Sequence, residues 1–383
     1  TFKELLADVE QRNLQNNIVG LEASRLFARS EINMGVDAFR DSLYAMLKRN
    51  TFLNIKFENM LDTLGEMSRT DLYSYLKEWE QLTPLPFYSI GEPELTKVVN
   101  KGGEEFFVLK VLVSNNSDYD GIIQMNVLQN GWWYQPMEDP RARKKVEIAA
   151  HTSKEFVSVW EEQIRDVEIN TMVSGNLPYM IRQSIGNVKQ ERNKIVKDTI
   201  YTLPESSLEM PGEVIVDNED STLFVLSTPA VVGLLPKWLD KVEDTSFKYS
   251  GISWWRAPLQ WTATTNAKYY GKYIRSAYVI KSGDGSQTAT WKIPVPEAGQ
   301  YELYYHVFKD DELRWNDRLQ GEYHFRVAYD SEMEDAYINL RKANEGWEQL
   351  GTYYFSADTV RVVLTDECKL RSVTADAVKI VKR

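Results

Sequence analysis

The sequence predicts a multidomain protein: an α-helical bundle followed by two all-β sandwiches. Three observations predict it. Apolar residues recur at helical spacing up to about residue 83, the period changes from 3.6 to 2 near Gly91, and a fresh series of strands begins near Pro211. A chain of 383 residues is also more than one core usually holds. The expected domains are therefore 1–90, 91–210 and 211–383.

In the first domain Phe2, Leu5, Leu6 and Val9 share one helical face, as do Phe39, Leu43, Met46 and Leu47, and then Phe57, Met60, Leu61 and Leu64. A last helix carries Leu72, Tyr75, Leu76 and Trp79, with Ser68 as its expected cap and Pro84 and Pro86 as its stop. The chain opens without Met in what reads as the middle of a helix, which suggests a piece of a longer parent whose missing part covered these apolar faces.

The second domain reads as strands at 104–113, 122–128, 145–149, 154–160 and 167–170, separated by turns such as Asn115-Asn116-Ser117-Asp118. Strands recurring about every ten residues suggest an immunoglobulin-like sandwich. Residues 189–209, charged and then bearing Pro204, read as a linker or an exposed excursion.

The third domain opens with a strand at Glu213-Val214-Ile215-Val216 and continues with strands at 289–295 and 299–307. Three further strands follow at 346–355, 359–366 and 373–380. Val360, Val362 and Leu364 supply a fully apolar face, as expected at the inner layer of a sandwich.

Two resemblances attach to these residues. Trp347-x-x-Leu350-Gly351-x-Tyr353-x-Phe355, then Val362-x-Leu364-Thr365-Asp366, then Ala375-Asp376-Ala377-Val378 resemble the C-terminal β-sandwich of golvesin and of xanthan-lyase-like proteins. Val216-Asp217-Asn218-Glu219-Asp220 and the Ala289-x-Trp291 … Ala298-Gly299-x-Tyr301-x-Leu303-Tyr304 pair extend the likeness to residues 211–383. It implies a golvesin-like, jelly-roll-type sandwich: a carbohydrate-binding or adhesive module of an extracytoplasmic bacterial protein, without catalytic machinery of its own.

The run Gly35-Val36-Asp37-Ala38-Phe39 to Leu47, with Asn59-Met60-Leu61, Ser68-Arg69-Thr70-Asp71-Leu72 and Trp79, resembles the last helices of aminopeptidase-N-like gluzincin metallopeptidases. Met46 and Tyr75 stand where that family usually has Tyr and Phe. The resemblance implies an upstream peptidase-like domain as partner, with zinc held N-terminal to Thr1, and makes this chain its non-catalytic accessory. The alternative is an extracytoplasmic glycan- or protein-binding protein with no peptidase partner.

The residues themselves supply no catalytic site. His151, His306 and His324 are the only histidines, and none has a His partner four residues on, so the zinc helix of such peptidases is absent and no cofactor is expected in this chain. Cys368 stands alone, which leaves neither an intramolecular disulfide nor a Cys-based metal site. A formal charge of −11 argues against a nucleic-acid partner, and no apolar run approaches the roughly 20 residues that span a bilayer. Asp217, Asn218, Glu219 and Asp220 offer oxygens to Ca²⁺ but lack the EF-hand pattern, and a polar turn is the favoured reading. Asp310-Asp311-Glu312 and the acids of 330–335 read as solvated loops.

The candidate ligand-binding residues are aromatic: Trp132, Trp133 and Tyr134, and Trp254 and Trp255 within the aromatic stretch that runs on through Trp261, Tyr269, Tyr270 and Tyr273. Adjacent tryptophans in a strand face opposite ways, so one of each pair is left to cover a neighbour or meet a ligand such as a sugar ring. Packing between domains is the reading preferred for them.

Overall fold

The computed structural model describes residues 12–80, 84–128, 139–186, 188–192, 196–206, 208, 212–227, 248–249, 251–252, 256–309 and 321–383. The chain divides into two compact units, Thr1–Leu208 and Glu209–Arg383. Residues 1–90 and 91–208 both fall within the first of these units.

Four helices open the first unit: α1 (Arg12–Met34), α2 (Val36–Arg49), α3 (Phe57–Ser68) and α4 (Leu72–Glu80). Gly35 at φ 87° breaks α1 from α2, a conformation that glycine adopts without Cβ strain. Leu26, Met46, Leu61, Leu64 and Leu72 form the small core between the helices. The cap of α4 is Asp71 rather than Ser68: Asp71 accepts from the Ser74 backbone N–H at 3.0 Å, whereas the Ser68 hydroxyl turns back to the Leu64 carbonyl at 2.7 Å. Ser68 is still inside α3, which ends one residue later at left-handed Arg69.

The helices do not stand alone. Ala28 and Ile32 of α1 pack with Ile122 and Met172 from the β region, and Arg29–Glu147 and Lys145–Glu31 ion pairs flank that contact. Burying this helix stripe on the sheet is why no compact division falls near residue 90.

The β region of this unit has two sheets. One orders β10 (Thr199–Pro204), β6 (Thr152–Trp160), β3 (Glu105–Asn115), β2 (Glu94–Val99) and β9 (Val188–Arg192), with β1 (Tyr88–Ile90) also on β3. The other orders β5 (Arg143–Ile148), β4 (Gly121–Leu128), β7 (Asp166–Asn170) and β8 (Met180–Ser184). Leu109, Val111, Val113, Ile123, Met125, Phe156 and Trp160 belong to their common core. Residues 189–209, expected as a linker or an exposed excursion, include paired strands: β9 runs parallel to β2, and β10 runs antiparallel to β6 from Thr199↔Val157 to Pro204↔Thr152. Its side chains are mostly exposed, so composition gave no sign of the backbone pairing.

The second unit carries twelve strands among the described residues. β11 (Glu213–Val216), β22 (Val378–Lys382), β16 (Gly299–Val307) and β19 (Gly346–Phe355) form one sheet in that order. β12 (Phe224–Leu226), β15 (Thr288–Pro294), β20 (Thr359–Thr365), β17 (Glu322–Tyr329) and β18 (Glu332–Asn339) form the second. β13 (Thr262–Thr265), β14 (Ser276–Lys281) and β21 (Ser372–Ala375) form a small third. Trp291, Tyr301, Leu303, Tyr305, Phe325, Phe355, Val360, Val362 and Leu364 share one buried cluster, which makes this unit a β-sandwich. The acids at 330–335, expected as a solvated loop, form the turn after β17 and the exposed first half of β18.

Candidate functional site

Strand alternation sets the site. In β16 Tyr301, Leu303, Tyr305 and Val307 point into the core, so Glu302, Tyr304 and His306 stand on the outer face. The pairing register puts Trp347 of β19 opposite His306, Lys379 of β22 opposite Tyr304, and Ile215 of β11 opposite Lys379. Residues distant in sequence therefore meet on one outer sheet surface.

The anchor is Asp376. The final stretch, expected as a single closing strand, is two strands: β21 pairs with β14 in the small sheet, and β22 pairs with β16 and β11. The chain changes sheets at Asp376-Ala377, which frees the Asp376 side chain from either ladder. Its carboxylate is fully buried and accepts from the Tyr270 backbone N–H, 3.2 Å from each oxygen, with Nδ1 of His306 at 2.9 Å. The Trp291 indole donates to the Asp376 carbonyl at 3.1 Å, and the Tyr305 hydroxyl donates to the Thr374 carbonyl. Burial pushes the Asp376 carboxyl above its ordinary range, and the neighbouring His306 opposes that rise.

Nδ1 of His306 faces the Asp376 carboxylate, which turns Nε2 away from the buried acid. Among the described residues no group hydrogen-bonds Nε2. His306 therefore presents one oriented polar atom at the sheet surface, where its side chain is 12% exposed.

Two aromatic rings flank the imidazole. The Trp347 ring lies 5.1 Å from His306 at 79° and 5.0 Å from Tyr270 at 59°, and Tyr270 lies 5.8 Å from His306. Nζ of Lys379 sits 4.9 Å from the Trp347 ring centre and 5.4 Å from that of Tyr304, within cation–π range. Glu213 holds the same ammonium at 2.8 Å. Further along, the Tyr304 hydroxyl donates to Glu302 at 2.6 Å, and Nε of Arg383 donates to the other Glu302 oxygen at 2.9 Å. Each polar group is fixed by a partner, so the surface is stiff where it is polar.

This arrangement offers aromatic surface bordered by oriented donors and acceptors. Among the described residues no hydroxyl or thiol hydrogen-bonds His306. No group of three or more His, Cys, Asp or Glu side chains among the described residues is arranged to hold a metal ion.

The ligand-binding candidates read from the sequence, Trp132, Trp133, Tyr134, Trp254 and Trp255, lie outside the described residues. Elsewhere in that aromatic stretch Trp261 packs against the core, Tyr269 meets Phe308 edge-on at 4.8 Å, and Tyr270 joins the site. A shallow hollow lined by Arg256, Ala257, Leu259, Lys281 and Arg371 lies in the same unit. Asp217 to Asp220 form a turn closed by the Asp220 N–H on the Asp217 carbonyl at 3.1 Å, and burial raises the Asp217 carboxyl well above its ordinary range. The sequence marks His306 only as a possible metal ligand, whereas Trp347 and Asp376 both belong to the golvesin-like pattern.

The family model of the Golvesin C-terminal domain matches residues 254–382, in keeping with a golvesin-like β-sandwich in this part of the chain. No curated protein matches the sequence. Similar solved structures include the GH26-CBM35 β-(1,4)-mannanase of Podospora anserina, at 11% identity over 45% of this chain and 28% of that chain, with a TM-score of 0.23. They also include the CBM35 from Cellvibrio japonicus Abf62, at 12% identity over 30% of this chain and 75% of that one, TM-score 0.21. The β-glucuronidase of Bacteroides uniformis is similar at 11% identity over 83% of this chain and 32% of that one, TM-score 0.22. This chain thus spans less than a third of the mannanase and of the glucuronidase. TM-scores this low establish no shared fold. No helix among the described residues is long and apolar enough to cross a membrane.

Proposed function

We propose that the second unit is a non-catalytic glycan-binding module, with Trp347, Tyr270, His306 and Lys379 as its contact residues. The observation that carries this is the Trp347–Tyr270 ring pair beside His306, whose Nδ1 is held by the buried Asp376 and whose Nε2 remains unbonded. A sugar ring offers an apolar face of C–H groups and a rim of hydroxyls. Half-buried aromatic rings take the first, and preset polar atoms take the second. The match to the Golvesin C-terminal domain supports a binding role over a catalytic one, in keeping with the adhesive or carbohydrate-binding character of such modules.

On this reading the module works outside the bacterial cytoplasm, and the helix-bearing first unit is its carrier. The glycan-binding reading takes precedence over service to an upstream zinc peptidase, which draws support only from the helical pattern of residues 20–90. The test is a glycan array probed with the whole chain, followed by calorimetry on each hit. Trp347→Ala is expected to abolish binding while leaving the far-ultraviolet spectrum unchanged. Array hits that survive both Trp347→Ala and His306→Ala, or no hit at all, would sink the assignment.

A further inference from the structure

The outer face that holds Trp347 continues along β19, and a bulge decides what it presents. Along β16 the outward residues His306, Tyr304, Glu302 and Gln300 alternate without interruption. Their partners on β19 are Trp347, Gln349, Thr352 and Tyr354. Tyr304 pairs with Gln349 but Leu303 pairs with Gly351, so Leu350 is one extra residue in β19. Strict two-residue steps from Trp347 would bring Tyr353 and Phe355 to the surface and send Tyr354 inward. The bulge shifts the phase, with the result that Tyr353 and Phe355 are buried and Tyr354 is 64% exposed on the same face as Trp347.

Gly351 belongs to this device. A Cβ there would lie 2.7 Å from the ring of Tyr353, so the absence of a side chain lets that ring fold over the bulge. The Tyr353 ring stacks on Phe355 at 5.5 Å and 9°, which fills the core that the phase shift leaves to it.

Between the two outward aromatics the face is polar. Gln349 donates to the Thr352 hydroxyl at 3.1 Å, and Glu302 is held between the Tyr304 hydroxyl and Arg383. From His306 to Gln300 is six residue steps, or about 20 Å of strand. That is the length of several linked sugars, with an aromatic ring at each end and hydrogen-bonding groups between.

We propose that this outer face is one extended platform that takes an internal stretch of a linear polysaccharide, with Tyr354 as a second aromatic subsite about 20 Å from Trp347. The inference rests on the glycan-binding reading of the Trp347 site and names its substrate class: a linear chain held along its length rather than a single sugar or a chain end. Tyr304, Gln349, Thr352 and Glu302 contact the intervening units.

The test is a length series. Cello-, xylo-, manno- and N-acetylchito-oligosaccharides of one to six units are titrated calorimetrically into the full chain. In the series that binds, affinity is expected to climb with each unit until the platform is spanned, then level off. Tyr354→Ala should weaken the six-unit ligand by about five- to tenfold, the size of one lost aromatic contact, and leave the two-unit ligand unchanged. Tyr354→Phe should restore the long-ligand affinity, because stacking needs the ring and not the hydroxyl. Trp347→Ala should remove binding at every length.

If one- and six-unit ligands bind alike, with Trp347→Ala destructive and Tyr354→Ala silent, the extended platform is refuted while the single site stands. If no series binds, or Trp347→Ala changes nothing, the underlying assignment falls and this inference with it.

Discussion

Replacing Asp376 with alanine tests how the site is held. The buried carboxylate is the acceptor for two donors, the Tyr270 N–H and Nδ1 of His306. Truncation strands both inside the protein, at roughly 1–3 kcal/mol for each unsatisfied group. Part of that loss is offset, because the removed carboxylate was itself costly to bury, as its raised pKa indicates. The Trp291 bond survives, since it is made to the Asp376 carbonyl. The net expectation is a loss of about 3 kcal/mol.

Asparagine should cost less, about 1 kcal/mol, because its carbonyl oxygen still accepts from one donor and its amide can donate to the other His306 tautomer. For a unit of this size 1 kcal/mol shifts the melting temperature by about 2–4 °C, so Asp376→Ala should melt about 6–12 °C lower and Asp376→Asn about 2–4 °C lower. Thermal unfolding followed by tryptophan fluorescence reads both, with the first unit's transition as internal control. A melting temperature for Asp376→Ala within about 2 °C of wild type would refute the view that this carboxylate anchors the site. Equal losses for Ala and Asn would show that charge, not the acceptor oxygen, is what the position supplies.

Three further outcomes are expected. Gly121→Ala would drive its Cβ into the hydroxyl of the fully buried Tyr88 and the ring of Pro86, and should destabilise the first unit by about 1–3 kcal/mol in denaturant titration. His151, between Glu205 at 2.7 Å and Asp118 at 2.8 Å, has a raised pKa from those two hydrogen bonds, so it stabilises the fold when charged. The stability gap between wild type and His151→Gln should be full below the ordinary imidazole value of 6.5 and vanish as pH rises through the higher folded-state value, read from melting temperatures across that range. Limited proteolysis should spare Thr199–Pro204, because every residue of that strand is paired with β6, and rapid cutting within it would contradict the pairing.

Much of the fold was legible because its strongest elements bury a continuous apolar face. Leu61, Leu64 and Leu72 read as helix faces and are buried as such, and Val360, Val362 and Leu364 read as an inner strand face and line the sandwich core. What was missed is polar or short. β10 exposes most of its side chains, and β18 begins Glu332-Met333-Glu334-Asp335, a composition of loops that backbone pairing overrides. The site was illegible for another reason. Tyr270, His306, Trp347 and Asp376 meet only because β19 pairs with β16 and the last strand changes sheets at Asp376, and pairing between distant strands leaves no trace in local periodicity. The bulge at Leu350 was equally hidden, although Leu350-Gly351 stood in the recognised pattern.

The most direct measurement is a titration of the isotopically labelled chain with the tightest glycan, followed through indole and backbone N–H resonances. The glycan-platform account predicts shifts at the Trp347 indole, at the Tyr270 and His306 amides, and along Gln349, Thr352 and Tyr354, with the core Trp291 indole unmoved. Shifts confined to the outer face of the β12–β15–β20–β17–β18 sheet, or to the first unit, would contradict it.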